Sequence, residues 1–377
     1  MRLSINFTGA YSNMENKNNT TNNHHLPRIG ITMGDFNGVG IEVIMKALQD
    51  PRILKMCVPV LYGSGKALAK YKKILGIENF TYHQVSDGNI HERKINVINC
   101  WEHIYWDINP GEITEEAGKC AYAALERSSA DLKNNMIDAV VTAPINKNNI
   151  QSPDFQFAGH TEYYASQFVQ QDDYLMCMIA EEMKLATLTG HIPLSQVPAQ
   201  LNRELVIKKL NTLIHSLKYD FGINKPAIAV LGLNPHAGEQ GLLGNEESAI
   251  IEPAIKYLQE LGHLVFGTFP ADGFFGMMQH RQFDAVVSIY HDQGLIPFKM
   301  LAFENGVNYT AGLSIVRTSP DHGTAYDIAG KGLANESSMI AAIFLACDII
   351  KQRKENRKPK EDKPHPNREK YVFEIEQ

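Results

Sequence analysis

An α/β fold with a largely parallel sheet is predicted by two features of this chain: short β-branched runs alternate with longer helical patterns, and the alternation persists from Arg28 to Ile350. A third feature is capacity. With 377 residues, 44% hydrophobic and 21% charged, the chain can bury a substantial core, and about 150 residues per domain suggests two or three domains.

Each element follows from its local pattern. Arg28–Thr32, Val58–Tyr62, Ile95–Ile98, Ala139–Thr142, Leu185–Thr189, Ile228–Leu233 and Ala285–Tyr290 are short runs rich in Val, Ile and Leu, the pattern of strands buried on both faces. Between them Gly40–Gln49, Ala117–Asn134, Arg203–Lys218, Glu246–Leu261 and Ser337–Ile350 read as helices. No internal repeat is present. Ser12–His25 is dominated by asparagine, with Met14 its only large apolar side chain, so residues 1–27 are expected to form a disordered leader. Lys351–Lys370 mixes Lys, Arg, Glu and Pro, and 351–377 is expected to be a solvated tail.

Composition excludes several classes of function. Lys plus Arg number 36 against 42 Asp plus Glu, a net charge of −6, so no basic surface is available to neutralise a nucleic-acid backbone. No apolar stretch approaches the roughly 18 residues of a membrane span, and no basic start leads into an apolar block. A cytoplasmic protein with no membrane or nucleic-acid partner is expected. The cysteines Cys57, Cys100, Cys120, Cys177 and Cys347 are odd in number and form no Cys-x-x-Cys pair, which argues against a disulfide framework and a thiolate zinc site. The Asn-x-Ser/Thr triplets at Asn6, Asn19, Asn308 and Asn335 are discounted with the secretory route.

Three strand-like runs finish in a histidine: Leu185-Ala-Thr-Leu-Thr-Gly-His191, Ile228-Ala-Val-Leu-Gly-Leu-Asn-Pro-His236 and Ala285-Val-Val-Ser-Ile-Tyr-His291. Ligands of open α/β sheets bind beyond the carboxyl ends of strands. Imidazoles delivered there can converge on one ion and leave positions open for substrate, as in a catalytic metal centre. A lone histidine after a strand is commonly a hydrogen-bonded loop residue; three in one pattern favour the metal. Asp292, directly after His291, is placed to orient a histidine or relay a proton. In Gly159-His160-Thr161-Glu162, His160 and Thr161 offer hydrogen bonds to a ligand, with a helix N-terminus at Thr161 as the structural alternative. Lys299, Asn308 and Arg317 follow His291 at offsets of 8, 17 and 26. Beside a metal they suit a small anion, Arg gripping a carboxylate or phosphate bidentately and Lys acting as a point charge.

Together the segments Gly159–Glu162, His191–Leu194, Leu233–Glu239, Pro270–Asp272, Tyr290–Leu295, Gly306–Asn308 and Arg317–Ser319 resemble the 4-hydroxythreonine-4-phosphate dehydrogenases of vitamin B6 biosynthesis, from about Arg28 to Ile350. The resemblance implies that His191, His236 and His291 bind a divalent metal such as zinc, magnesium or cobalt, and that His160, Thr161, Lys299, Asn308 and Arg317 bind substrate. It also implies a homodimer whose active site draws on both subunits. Its fold is similar to that of the isocitrate and isopropylmalate dehydrogenases, with two α/β domains, here 28–140 with 300–350 and 141–299 carrying the histidines, around an interdomain cleft.

Through that kinship Asp321-His-Gly-Thr-Ala-Tyr-Asp-Ile-Ala-Gly-Lys-Gly332 looks like the adenosine-binding loop of the β-decarboxylating dehydrogenases. His322, Gly323, Thr324 and Asp327 are its candidate cofactor residues, and Asp327, able to accept from ribose hydroxyls and repel a 2′-phosphate, favours NAD over NADP. Two glycine-rich decoys carry no nucleotide role: Gly34-Asp35-Phe36-Asn37-Gly38-Val39-Gly40 has the wrong glycine spacing and is expected to shape a turn, and Gly63-Ser64-Gly65-Lys66 is an incomplete P-loop. The sequence departs from the commonest family pattern at Phe36, where proline is frequent, and at Asn146, where histidine often precedes Lys147.

The implied reaction oxidises a phosphorylated hydroxy amino acid with NAD and releases carbon dioxide to give 3-amino-2-oxopropyl phosphate. Asp272, Asp292 and Lys147 are the candidates for proton transfer. The competing readings are a sister dehydrogenase acting on threonate 4-phosphate, a dihydrodiol dehydrogenase, a metallohydrolase, and a noncatalytic metal-binding protein.

Overall fold

The structure, a computed structural model, describes residues 25–86, 88–170 and 173–356. The expected leader up to residue 24 and the expected tail beyond residue 356 lie outside them.

The β-branched runs become strands because each is buried on both faces between helices. The strands are β1 Arg28–Thr32, β2 Val58–Gly63, β3 His83–Gln84, β4 Asn96–Asn99, β5 Ala139–Thr142, β6 Leu175–Ile179, β7 Lys184–Thr187, β8 Ala227–Leu231, β9 Leu264–Phe269, β10 Ala285–Ser288, β11 Val307–Ala311 and β12 Val316–Pro320. They form one sheet in the order β3-β4-β2-β1-β5-β12-β11-β6-β7-β10-β8-β9. All pairs are parallel except β12 with β11, β11 with β6 and β6 with β7. The sheet therefore runs unbroken through both expected units, joined at its middle by the antiparallel strands. Chain reversal there brings the carboxyl end of β5 beside both β12 and, one strand further, β11.

Helices cover the sheet where their caps and periodicity predict. Glu115–Lys133 starts at Thr114, whose hydroxyl accepts the Ala117 N–H at 3.3 Å, and Arg203–Tyr219 starts at Asn202, whose side chain accepts the Leu205 N–H at 2.9 Å. Two helices differ from expectation. The stretch expected as one helix over Glu246–Leu261 opens with a π turn, Glu247–Ile251, and becomes α-helical only over Glu252–Glu260. Pro253 has no N–H to donate to an α-helical ladder, and the wider turn accommodates it. The last helix is Ser337–Asn356 and continues past Ile350 into the residues expected to be tail. Arg353 holds it there, donating to Asp220 Oδ1 at 2.6 Å and to the carbonyls of Ser314 and Leu313 at 3.0 and 3.2 Å. Asp220 also accepts the hydroxyl of Tyr309 in β11, so this charged end of the helix is tied to the middle of the sheet.

Candidate active site

Arg317 is a strand residue of β12, 2% exposed, yet none of its hydrogen-bond acceptors is a carboxylate. Its guanidinium donates to Thr142 Oγ1 at 2.8 Å, Ser319 Oγ at 3.0 Å, Thr161 Oγ1 and Thr310 Oγ1 at 3.2 Å each, and Asn308 Oδ1 at 3.3 Å. The topology explains this gathering: Thr142 ends β5, Asn308 and Thr310 lie on β11, and Thr161 is in the first turn of the helix His160–Phe168. Burial pulls the Arg317 pKa down to about 10, which still leaves it cationic at neutral pH. A buried cation with only neutral partners is costly unless an anion joins it.

Beside the guanidinium opens a cavity of about 410 Å3. All of the expected substrate residues, His160, Thr161, Lys299, Asn308 and Arg317, line it, as do Lys147, His191, His322 and Gly323. His160 Nε2 is buried without a partner, and burial, reinforced by Arg317 and Lys147, holds the imidazole well below its usual pKa. His160 is therefore neutral. Lys299 lies 3.5 Å from Asp321, whose carboxyl burial pushes upward. The wall thus combines the cations Arg317, Lys147 and Lys299 with a neutral imidazole, an arrangement for a small, strongly anionic ligand.

The strand-end histidines are only partly brought together. The rings of His191 and His291 are neighbours, with centroids 5.4 Å apart. Burial, then Lys147 and His291, lowers the pKa of His191, favouring the neutral form that ligates metals. His291 Nδ1 lies 2.6 Å from Asp292 Oδ1, so a proton there leaves Nε2 as a free donor pair. His236 stands on a run of left-handed residues, with φ between 44° and 83° from His236 to Gln240. Buried Glu247 fixes that run by accepting the Asn234 backbone N–H at 2.7 Å and its side-chain amide at 3.0 Å. Among the described residues, no three His, Cys, Asp or Glu side chains are close enough to hold a metal ion within one chain.

Of the proton-transfer candidates, Lys147 lines the cavity, Asp292 is exposed and engaged with His291, and Asp272 is exposed on the helix Ala271–Gly276 away from the lining. Thr324 and Asp327 also lie outside the lining. The loop that carries them docks on the first glycine-rich decoy, which is a turn as expected: the Val39 N–H donates to Thr324 O at 2.9 Å, and a Cβ on Gly38 would meet that oxygen at 2.7 Å. Gly34 takes φ +65° there, and a side chain on it would collide with Pro144 O. Sequence reasoning missed Thr142, Thr310, Ser319 and Asp321. Asp321 was within reach as the first residue of the quoted loop, but the acceptors of Arg317 are separated by up to 175 residues and are assembled only by strand order.

This geometry has close relatives. The family model described as Pyridoxal phosphate biosynthetic protein PdxA matches residues 55–346. The chain belongs to this family. The 4-hydroxythreonine-4-phosphate dehydrogenase of Bacteroides thetaiotaomicron is 47% identical over 331 residues, which cover 88% of this chain and 90% of that one. A relative from Oceanobacillus iheyensis whose name gives D-threonate 4-phosphate as its substrate is 39% identical over 329 residues, 86% of this chain and 98% of its own. Among solved structures, the 4-hydroxythreonine-4-phosphate dehydrogenase of Klebsiella pneumoniae superposes with a TM-score of 0.75 at 35% identity, covering 87% of this chain and 99% of that chain. The PdxA architecture, a mixed α/β fold on a large, mostly parallel sheet, is thus shared over nearly the whole described length.

Proposed function

We propose that this chain is a cytoplasmic 4-hydroxythreonine-4-phosphate dehydrogenase dependent on NAD and a divalent metal. It would act as a homodimer in pyridoxine 5′-phosphate biosynthesis, oxidising its substrate to a 2-amino-3-oxo acid that decarboxylates to 3-amino-2-oxopropyl phosphate. The observation that carries the reading is Arg317, a buried and unneutralised guanidinium facing a cavity with Lys147 and Lys299, in a PdxA-family chain 47% identical to an enzyme of that name.

Each residue has a task in this reading. Arg317 and Lys299 hold the anionic ends of the substrate, the first by its planar fork and the second as a point charge. Thr161 and Asn308 already accept from Arg317, and thereby help fix the plane of its guanidinium. Neutral His160 adds a hydrogen bond without adding charge. His191, His236 and His291 are donors of the right chemistry for a divalent ion, and Asp292 orients His291. A divalent ion held there would supply Lewis-acid polarisation of the substrate hydroxyl, and NAD, held at its adenosine end by the loop of His322, Gly323, Thr324 and Asp327, would supply the hydride acceptor. Of the three proton-transfer candidates Lys147 is best placed to reach the substrate hydroxyl, because it alone lines the cavity.

A second copy completes the histidine set. Ile296, Met300 and Phe303 are 59%, 81% and 74% exposed and lie one turn apart along or just beyond the helix His291–Ala302, which also carries Lys299. An apolar stripe beside the site is a surface for a second subunit.

The test is NADH formation by the metal-loaded protein over a panel of phosphorylated hydroxy acids. 4-Hydroxythreonine 4-phosphate is expected to exceed threonate 4-phosphate by at least about a hundredfold in kcat/KM, because a site satisfied by an amine leaves groups unpaired with a hydroxyl. Equal or reversed efficiencies would assign the chain to the sugar-acid branch represented by the Oceanobacillus relative. Metal-dependent turnover with no NADH would instead mean a hydrolase.

A further inference from the structure

Asp35 is fully buried in the turn after β1, and none of its three partners is a cation. Oδ1 accepts the Asn37 N–H at 2.9 Å, while Oδ2 accepts Asn149 Nδ2 at 2.7 Å and the Tyr326 hydroxyl at 2.8 Å. The two donors on Oδ2 come from segments far apart in the sequence. Asn149 closes the turn that presents Lys147, with Asn146 Oδ1 accepting the N–H groups of Asn148 and Asn149 at 2.8 and 3.3 Å. Tyr326 lies in the loop between Thr324 and Asp327. Burial, and then Asp35 itself, push the Tyr326 phenol above its usual pKa, against opposing hydrogen bonds with Asn146 of the lysine turn and with Thr324, so it remains a donor. Asn149 Oδ1 is buried without a partner, so the amide is oriented only by what its nitrogen meets: Asp35 and, at 2.9 Å, Thr114 O.

We infer that Asp35 is a positioning residue through which the loop of Tyr326 and the turn of Lys147 set each other's place. The inference rests on the reading of that loop as the NAD site. A ligand that orders the loop fixes Tyr326, hence the Asp35 carboxylate, hence Asn149 and the lysine turn, and the coupling must be reciprocal. Tyr326→Phe removes the hydroxyl that meets Asp35 and Asn146, and with it the loop's link to the lysine turn, while leaving the Asp35, Asn146 and Asn149 side chains in place.

Two measurements on the metal-loaded full-length protein decide it. First, NAD is expected to tighten binding of 4-hydroxythreonine 4-phosphate by about fivefold or more in the wild type. In Tyr326→Phe the factor should fall to within about twofold of unity. An absence of coupling in a wild type that binds NAD, or equal coupling in the variant, overturns the inference. Second, amide exchange without any ligand is expected to rise about tenfold at residues 148–150 in Tyr326→Phe, the effect of losing one buried hydrogen bond in a distant segment. Unchanged exchange there overturns the link even if NAD binds. A wild type that fails to bind NAD but shows the exchange effect in the variant would retain the link and discard the cofactor reading.

Discussion

Beyond β5, β11 and β12 all three guanidinium nitrogens of Arg317 have partners within one chain, whereas beyond β7, β8 and β10 only His191 and His291 are neighbours and, among the described residues, no three metal donors gather. Asp292 steers His291, and Glu247 shapes the turn that carries His236. The contrast separates two problems of a dehydrogenase site. A phosphate, whose charge does not change in the reaction, can be held by a rigid wall built during folding. The reacting end must admit substrate, cofactor and ion, and among the described residues it offers the neighbouring rings of His191 and His291.

Arg317→Met tests the finished side. Loss of a desolvated charge contact removes roughly 4 kcal/mol, about a thousandfold in kcat/KM, carried mainly by KM. Thermal stability should hold or rise, because an uncompensated buried charge goes with the side chain. A large fall in melting temperature with little loss of activity in the folded fraction would make Arg317 a structural residue.

The unfinished side is tested by mixing inactive copies. His191→Ala, His236→Ala and His291→Ala should each lose about a hundredfold or more in activity with the fold intact. If one donor comes from the partner subunit, two of the three pairwise mixtures, refolded together, should recover about a quarter of the wild-type rate, since half of the dimers are mixed and each has one intact site. No recovery in any mixture would place all three donors in one subunit.

What could be read from the sequence follows the same divide. The histidines stand out because each ends a β-branched run, and β1 and β5 were bounded to the residue by the same composition. β6, Leu-Met-Cys-Met-Ile, has one β-branched residue, β11 alternates Asn308 and Thr310 with apolar positions, and β12 carries Arg317, Thr318 and Ser319 in succession. Those central strands were invisible because they spend their side chains on the site. The left-handed run at His236–Gln240 was equally hidden, since it depends on a carboxylate at Glu247 that only the folded chain brings near. The charged end of the last helix was mistaken for a solvated tail because the partner of Arg353, Asp220, is 133 residues away.

That helix end sharpens the comparison by supporting the finished side. Asp220 joins Arg353 to Tyr309, the neighbour of Asn308 on β11. Ending the chain at Ile350 strips Asp220, 4% exposed, of its cation and should destabilise the protein by about 3 kcal/mol, whereas ending it at Asn356 should be neutral. Chemical denaturation of both truncations measures the difference. Equal midpoints would return residues 351–356 to the role of a tail.

The smallest effect concerns His160, the neutral member of the anion wall. Its folded pKa is well below the ordinary 6.5, because burial and the neighbouring Arg317 and Lys147 oppose the charged form. The unfolded chain therefore binds a proton on this side chain at pH values where the folded chain does not. Unfolding then takes up a proton, so stability is unaffected by this group above about pH 6.5 and declines as pH falls below it. The slope approaches about 1.4 kcal/mol per pH unit for one group. His160→Gln, which cannot titrate, should lose that part of the slope between about pH 6.5 and 5 while keeping a hydrogen-bonding side chain at the cavity wall. Denaturation midpoints at half-unit pH steps would reveal it. Parallel curves for the two proteins would mean that His160 accepts its proton in the folded state, and the wall would then carry a further positive charge toward its ligand.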